Sequence, residues 1–215
     1  MELKTTVKVN GVNSLTDARF FSGAGAQLLG FNFDKNSSRY IATEDVFQIK
    51  EWLAFPEIVG EFNATQTIDQ INNIVGKLKL DYAEVGPQVE DSLLESVQCR
   101  VIKRIAIESL SEIDSLEARI QSFPDNVTDV ILDFVTGGFL WNVIRLDESN
   151  RNTLKELCSQ FNVILSLNVS KDNAEEILDT LEPKGLEIHS GDEIKTGVRS
   201  FDDIADLMEE LEAEF

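Results

Sequence analysis

Residues 7–33 read VKVNGVNSLTDARFFSGAGAQLLGFNF and decide the fold, because they contain one complete strand, helix and strand. Two short apolar runs, residues 7–12 and 27–33, have the length and composition of strands. Between them, Ser14 stands three residues before Asp17, which is the pattern of a capped helix start. The stretch predicts two parallel strands joined by a helical crossover.

The same alternation of strands and helices continues to the end of the chain. The six further strand candidates are residues 58–62, 81–85, 100–105, 129–133, 162–168 and 185–190. Hydroxyl side chains that predict further helix starts are Thr43, Thr65, Ser109, Ser170 and Ser200. Such alternation is typical of parallel strands whose two faces are both buried.

An open, doubly wound sheet and a closed barrel are the two architectures compatible with this alternation. The chain has eight complete units, lacks a glycine-rich dinucleotide loop after the first strand, and has a helix after the eighth. These features favour closure. We therefore predict an α/β fold, a parallel (β/α)8 TIM barrel, in a single domain over residues 1–215.

Charge and composition narrow the classes of partner. The formal net charge is −20, from 39 acidic and 19 basic residues. Nucleic acids and anionic membranes are therefore disfavoured, since proteins bind them through Lys and Arg. The apolar runs are too short to span a membrane and no secretory signal is evident, so we expect a cytoplasmic protein. Cys99 and Cys158 lack metal-ligand spacing and are expected to be reduced structural thiols.

The active site of such a barrel is expected at the carboxyl ends of the strands, with phosphate commonly held after strands seven and eight. The polar residues at or just beyond these ends include Asn10, Arg39, Arg104, Asp133, Asn168, His189 and Ser190. A lone histidine such as His189 is more often a packed or solvated side chain than a catalyst.

Several short motifs fall in register with the eight predicted units. They are Lys8-Val-Asn-Gly11, Asp17-Ala18, Gly25-Ala26, Leu29-Gly-Phe-Asn-Phe33, Ser37-Ser-Arg-Tyr40, Val59-Gly-Glu-Phe62, Leu132-Asp133, Ser190-Gly-Asp-Glu193 and Gly197-Val-Arg199. Their order and spacing resemble those of the phosphoribosylanthranilate isomerase family over nearly the whole chain. The resemblance implies an enzyme of tryptophan biosynthesis that converts a phosphoribosyl aminoaldose to an aminoketose by an Amadori rearrangement. It also implies that neither a metal nor an organic cofactor is needed.

The resemblance also implies roles for individual residues. It gives the general-acid role to Asp133, and it places Asn10 where the family has its catalytic cysteine base. The implied substrate-binding residues are Arg39, which would hold the anthranilate carboxylate, Lys8 and Gly11. The implied phosphate-binding residues are Ser190, Gly191 and Asn168.

Two departures from the family pattern bear on the predicted reaction. A carboxamide has no useful proton affinity near neutral pH, so Asn10 cannot act as the base. Neither Cys99 nor Cys158 is placed to substitute for it. At the end of the seventh strand, Leu167 and Asn168 replace the paired glycines that let backbone amides approach a phosphate. The family reaction is therefore expected to be lost or altered.

Two hypotheses remain open from the sequence. In the first, the chain is an enzyme acting on a phosphorylated sugar or related metabolite, with Asp133 as the acid and an unidentified base. In the second, it is a catalytically degenerate barrel that serves as a metabolite-binding or regulatory protein. Both predict a small-molecule ligand, and both allow a monomer or a homodimer.

Overall fold

The computed structural model describes residues 2–62, 66–191, 193–195, 198–199 and 201–213. Eight parallel strands form a closed barrel in which each strand pairs with the next and the first pairs with the eighth. The strands are β1 (Thr6–Asn10), β2 (Leu28–Asn32), β3 (Glu57–Phe62), β4 (Tyr82–Val85), β5 (Arg100–Ala106), β6 (Val127–Asp133), β7 (Val163–Ser166) and β8 (Gly185–His189). The predicted TIM barrel is confirmed.

Helices surround the barrel on its outer face. They are α1 (Leu15–Gly23), α2 (Thr43–Lys50), α3 (Ile68–Leu78), α4 (Leu116–Gln121), α5 (Trp141–Ile144), α6 (Glu148–Gln160), α7 (Ala174–Leu181) and α8 (Asp202–Glu210), with 3-10 segments at Asp91–Ser96 and Leu110–Ser115. The connection from β4 to β5 therefore carries a 3-10 segment in place of an α-helix. No helix in the described part of the chain is long and apolar enough to cross a membrane.

Two short strands follow β8 that the sequence pattern did not predict. They are β9 (Glu193–Lys195) and β10 (Val198–Arg199), which pair antiparallel as a separate two-stranded sheet. Strands of three and two residues are shorter than the four to eight residues that make an alternating pattern recognisable.

The predicted helix starts have mixed outcomes. Ser14 is confirmed as the cap of α1, because its side chain accepts a hydrogen bond from the backbone N–H of Asp17. Thr43 as a cap is wrong, because the extended residue Ala42 precedes the helix and the Thr43 hydroxyl donates to Glu44 instead.

The other four predicted starts have different outcomes. Ser109 accepts a hydrogen bond from the Ser111 N–H at the head of a 3-10 segment. Ser170 as a cap is wrong, because α7 begins only after Asn173, whose own side chain accepts from the Ser170 N–H. Thr65 and Ser200 lie outside the described residues.

The barrel interior has two layers of different chemistry. Near the amino ends of the strands, the inward side chains form an apolar layer of Leu28, Val59, Tyr82, Ile102, Ile131 and Ile164. Two residues further along β3 to β6, the inward positions are the buried charged residues Glu61, Glu84, Arg104 and Asp133. Buried Lys8 on β1 and Glu187 on β8 contact members of this layer. Since strand side chains alternate with a period of two, the charged layer lies directly above the apolar one. The floor beneath the barrel mouth is therefore ionic.

Candidate active site at the barrel mouth

A cavity of about 360 Å³ opens at the carboxyl ends of the strands. Its walls are Asn10, Pro87, Gln88, Arg104, Ala106, Asp133, Val135, Thr136, Ser166 and His189. The structure thus brings together Asn10 and Asp133, the two residues that the family resemblance places at the base position and in the acid role. The other predicted site residues, all of which the structure describes, are not among its walls.

The Asp133 carboxylate is held by donors on both oxygens. Its Oδ1 accepts a hydrogen bond from the Thr136 backbone N–H at 3.0 Å. Its Oδ2 accepts from the Thr136 hydroxyl at 2.8 Å and from the Arg104 guanidinium at 3.0 Å. Asp133 is also 6% exposed, so these protein groups are its main partners.

Arg104, at the inward face of β5, connects three carboxylates across the barrel. Its Nε donates to Glu84 at 2.7 Å, its Nη1 to Asp133 at 3.0 Å and its Nη2 to Glu187 at 2.5 Å. Burial alone would lower the pKa of this guanidinium, but Glu187 and Glu84 more than offset it, so the pKa lies well above its ordinary value. Arg104 is therefore a fixed cation on the cavity wall.

Lys8 belongs to the same charged layer within the barrel and is fully buried. Its ammonium is 2.6 Å from Glu84, 2.8 Å from Glu187 and 3.1 Å from Glu61. Burial opposes the charge, yet the three carboxylates raise the Lys8 pKa above its ordinary value. The structure therefore places Lys8 beneath the cavity wall, and its contact with a substrate stays a prediction.

Four carboxylates share these two cations. Burial is the main cause that raises the pKa of Glu61, to about 7. At Glu187 burial acts in the same direction, but Arg104 and Lys8 outweigh it and lower the pKa. Glu61 Oε2 and Glu187 Oε1 are buried without a hydrogen-bond partner. The interior layer is thus rich in acceptors and carries an excess of negative charge.

The predicted carboxylate-binding and phosphate-binding residues contact each other. Arg39 Nη1 donates to the Ser190 hydroxyl at 2.7 Å, and Nη2 donates to the Gly191 carbonyl at 3.2 Å. The Ser190 hydroxyl in turn donates to the carbonyl of Gly11 at 2.9 Å. Gly11 has a φ of +69°, and a Cβ there would lie 2.5 Å from Arg39 Cδ. A glycine is therefore required for Arg39 to pack against this turn and reach Ser190.

The loop after β7, which carries Asn168, uses its own backbone donors. The Val169 N–H donates to the Leu167 carbonyl at 2.8 Å, and the Ser170 N–H donates to Asn173 Oδ1 at 2.9 Å. The Asn173 side chain also donates to the Asn168 carbonyl at 3.0 Å. Asn168 itself is exposed and lies outside the mouth cavity. Two amides of the predicted phosphate loop are thus engaged within the loop.

Neither cysteine lies on the cavity wall. Cys99 precedes β5 at the opposite end of the barrel, and burial raises the pKa of its thiol to about 11. Cys158 is buried within α6, where desolvation raises its pKa to about 12. Both thiols are protonated near neutral pH, so neither provides a thiolate.

His189 lies on the cavity rim, paired in register with Asn10. The residue is exposed, yet desolvation by the surrounding protein is the main cause that lowers the pKa of the imidazole below its ordinary value. The ring is therefore neutral near pH 7 and can accept a proton or a hydrogen bond. Among the residues that the structure describes, no three His, Cys, Asp or Glu side chains are arranged to hold a metal ion.

The sequence did not predict the ionic layer that supports the site. Its signal was a charged residue facing inward in each of several otherwise apolar strands, at Glu61, Glu84, Arg104 and Glu187. The pattern identifies the strands but not the pairing, because each partner stands on a different strand.

Comparison with known proteins gives one consistent result. The model of the N-(5'-phosphoribosyl)anthranilate (PRA) isomerase family matches residues 7–210. The N-(5'-phosphoribosyl)anthranilate isomerase of Clostridium beijerinckii is 24% identical over 227 residues, covering 96% of this chain and 97% of the relative. The solved phosphoribosyl anthranilate isomerase of Thermus thermophilus is 26% identical with a TM-score of 0.75, covering 96% of this chain and 98% of its own.

A second solved structure contains monomers generated from the dimeric phosphoribosylanthranilate isomerase of Thermotoga maritima. It is 22% identical with a TM-score of 0.75, covers 96% of this chain and 98% of its own, and supports the fold. The family model spans nearly all of the chain, and the solved family members share its barrel fold. The chain therefore belongs to the N-(5'-phosphoribosyl)anthranilate isomerase family, whose reaction is a step of tryptophan biosynthesis.

Proposed function

We propose that this chain does not catalyse the isomerisation for which its family is named, and that the barrel mouth serves as a binding site for a small molecule. One observation carries the proposal. Asn10, at the position of the family's base, faces the same cavity as an Asp133 that is ion-paired to Arg104. The base of the family reaction is therefore replaced by a carboxamide, and the acid is held in an ion pair.

The rearrangement needs a base that removes a proton from the sugar carbon next to the nitrogen-bearing one. An amide oxygen is a hydrogen-bond acceptor but does not take up a proton near neutral pH. Asn10 can thus orient a ligand without performing the transfer. The two thiols of the chain lie away from the cavity and cannot replace the missing base.

The rearrangement also needs an acid that protonates the ring oxygen so that the sugar opens. Asp133 Oδ2 already accepts hydrogen bonds from Arg104 and Thr136, and Oδ1 accepts from the Thr136 amide. A proton on this carboxyl group would have to displace at least one of these donors or occupy a remaining lone pair beside a guanidinium. The arrangement suits Asp133 as a fixed hydrogen-bond acceptor better than as an acid.

What the mouth retains is suited to binding. The cavity is concave and combines amide, hydroxyl, carboxylate and imidazole groups with the apolar side chains Pro87, Ala106 and Val135. A binding or regulatory role needs no proton transfer. The phosphorylated sugar that the resemblance implies as a ligand stays a prediction.

One observation favours a second candidate, an isomerase with a different substrate. His189 and Asp133 line the same cavity, and the neutral imidazole can accept a proton near pH 7. In that case His189 would be the base and Asp133 the acid. The two candidates differ in whether His189 is needed for any turnover.

Complementation tests the proposal. The coding sequence is expressed in a bacterial strain that lacks phosphoribosylanthranilate isomerase, with an active family member in the same vector as the positive control. We expect no growth without tryptophan, although the folded protein is present in the cells. Growth would contradict the proposal, and loss of that growth in His189→Ala would identify His189 as the base of a retained isomerisation.

A further inference from the structure

The charge of the cavity floor limits which ligands fit the mouth. Each nitrogen of the Arg104 guanidinium faces a carboxylate, and Lys8 in the same layer faces three. The four carboxylates Glu61, Glu84, Asp133 and Glu187 outnumber these two cations by two. Protonation of Glu61, whose pKa is about 7, still leaves one negative charge in excess. In a buried layer of low dielectric, this charge repels an anion and attracts a cation.

In the described loops that would hold a phosphate, several hydrogen-bond donors are already bonded to other protein groups. The amides of Val169 and Ser170 are engaged within the loop after β7. The Ser190 N–H donates to the Asn10 carbonyl as part of the strand ladder, and its hydroxyl donates to Gly11. A phosphate needs several convergent N–H donors or cations. At these positions such donors already have protein partners.

The uncharged part of the cavity wall suits hydroxyl groups. Asn10, Gln88, Thr136, Ser166 and the neutral imidazole of His189 all donate or accept hydrogen bonds without carrying a full charge. A volume of about 360 Å³ is at the small end of ligand pockets. A molecule with one ring and several hydroxyl groups matches this size and this set of partners.

We infer that the mouth cavity binds an unphosphorylated, hydroxylated molecule of single-sugar size that is neutral or cationic, such as a sugar or an amino sugar. The inference rests on the proposed function, because a chain that isomerised the family substrate would have to hold a phosphate at this mouth. Binding of a phosphate ester is disfavoured by the excess of buried carboxylates. It is also disfavoured because the amides of Val169 and Ser170 are hydrogen-bonded within their own loop.

The test uses matched pairs of ligands and a reporter that the chain provides. His189 is the single histidine, so its imidazole NMR signals report on this cavity alone. The full-length protein is titrated with ribose and ribose 5-phosphate, and with glucosamine and glucosamine 6-phosphate. We expect ribose or glucosamine to shift the His189 signals in a saturable way, with an affinity at least tenfold higher than that of its phosphate ester. A tighter ester in either pair, or no saturable shift with any of the four, overturns the inference.

Two glutamine-to-tryptophan substitutions test whether the sugar binds in the mouth cavity. Gln88 is exposed on the cavity wall, so Gln88→Trp fills the mouth without disturbing the core, whereas exposed Gln98 lies at the other end of the barrel. We expect Gln88→Trp to weaken binding of the bound sugar at least tenfold and Gln98→Trp to leave it unchanged, as measured by calorimetry. Equal binding by both variants overturns the placement. Isomerase turnover would refute the proposed function, whereas tighter ester binding without turnover refutes only this inference.

Discussion

The guanidinium of Arg104 lies 3.0 Å from Oδ2 of Asp133, so an arginine from β5 is fixed against the residue that the family resemblance identifies as the acid. The same guanidinium contacts Glu84 and Glu187, which themselves contact Lys8. The acid position is thus one end of a buried ionic layer. Because Asp133 is held in this layer, the chemistry of the site depends on the Asp133–Arg104 pair as well as on the replacement at Asn10.

Restoring the sulfur at the base position should not restore the reaction. We expect Asn10→Cys to show no turnover of phosphoribosylanthranilate above that of Asn10→Ser, a control of similar size without a thiol. The reason is that Asp133 stays paired with Arg104 and the loop after β7 keeps its amides engaged. Turnover in Asn10→Cys alone, measured with purified protein, would show that the base was the only missing part.

Arg104 should be a major contributor to stability. Arg104→Met removes the cation from three buried carboxylates, and loss of one partner from a buried ion pair costs about 3–5 kcal/mol. The control is Arg145→Met, because Arg145 pairs with Glu176 at 3.5 Å with both side chains about half exposed. Such a surface pair contributes about 0–1 kcal/mol. Urea denaturation measures both variants, and equal losses would contradict the role of Arg104.

Gly30 should contribute to stability because the absence of a side chain there leaves space for Glu61. A Cβ at position 30 would lie 1.8 Å from Glu61 Oε1 and 3.0 Å from the Val9 carbonyl. Overpacking of this kind costs about 1–3 kcal/mol, so Gly30→Ala should unfold at a lower urea concentration than wild type. Gly76→Ala is the control, since nothing lies within 4 Å of its added methyl group and alanine favours the helix by about 0.5–1 kcal/mol. A harmless Gly30→Ala would show that Glu61 is free to move.

The elevated pKa of Glu61 should appear as a pH dependence of stability. Its pKa is about 7 in the folded protein against an ordinary value of 4.5, so between these values the folded state binds more protons than the unfolded state. The stability that Glu61 contributes is therefore complete below about pH 4.5 and is lost as the pH rises through 7. We expect the free energy of unfolding of wild type relative to Glu61→Gln to fall over this window, by at most about 1.4 kcal/mol per pH unit.

The control for this prediction is Glu44→Gln. The Glu44 carboxylate is exposed, and its hydrogen bond from Lys77 is the main cause that lowers its pKa to about 2. A lowered pKa affects stability only below the ordinary value of 4.5, so the difference between wild type and Glu44→Gln should be constant from pH 5 to 7.5. If the difference in unfolding free energy between wild type and Glu61→Gln were also constant over this range, Glu61 would not be the group that binds the proton.

The fold could be predicted from the sequence because its determinants are local and repeated. Each barrel strand is a short apolar run, and each is followed by a turn and an amphipathic or capped segment, as Ser14 shows for α1. What could not be predicted depends on very short elements. The β9 and β10 strands have three and two residues, and α5 has four, which is too few for a period to show.

The site was predictable in its position and only partly in its contacts. Asn10 and Asp133 were expected near each other because both end barrel strands, and they line one cavity. Lys8, two residues before Asn10, points to the same side of β1 but one layer lower, and therefore meets carboxylates within the barrel. The partners of Arg104 come from β4, β6 and β8, and no pattern within one segment of sequence specifies such a pairing.

The measurement that tests the central claim most directly is steady-state turnover of N-(5'-phosphoribosyl)anthranilate by the purified protein. The altered base position at Asn10 and the ion-paired Asp133 predict no conversion above the uncatalysed background at any substrate concentration. A kcat within the ordinary range of enzymes, roughly 1–10³ s⁻¹, would contradict the account.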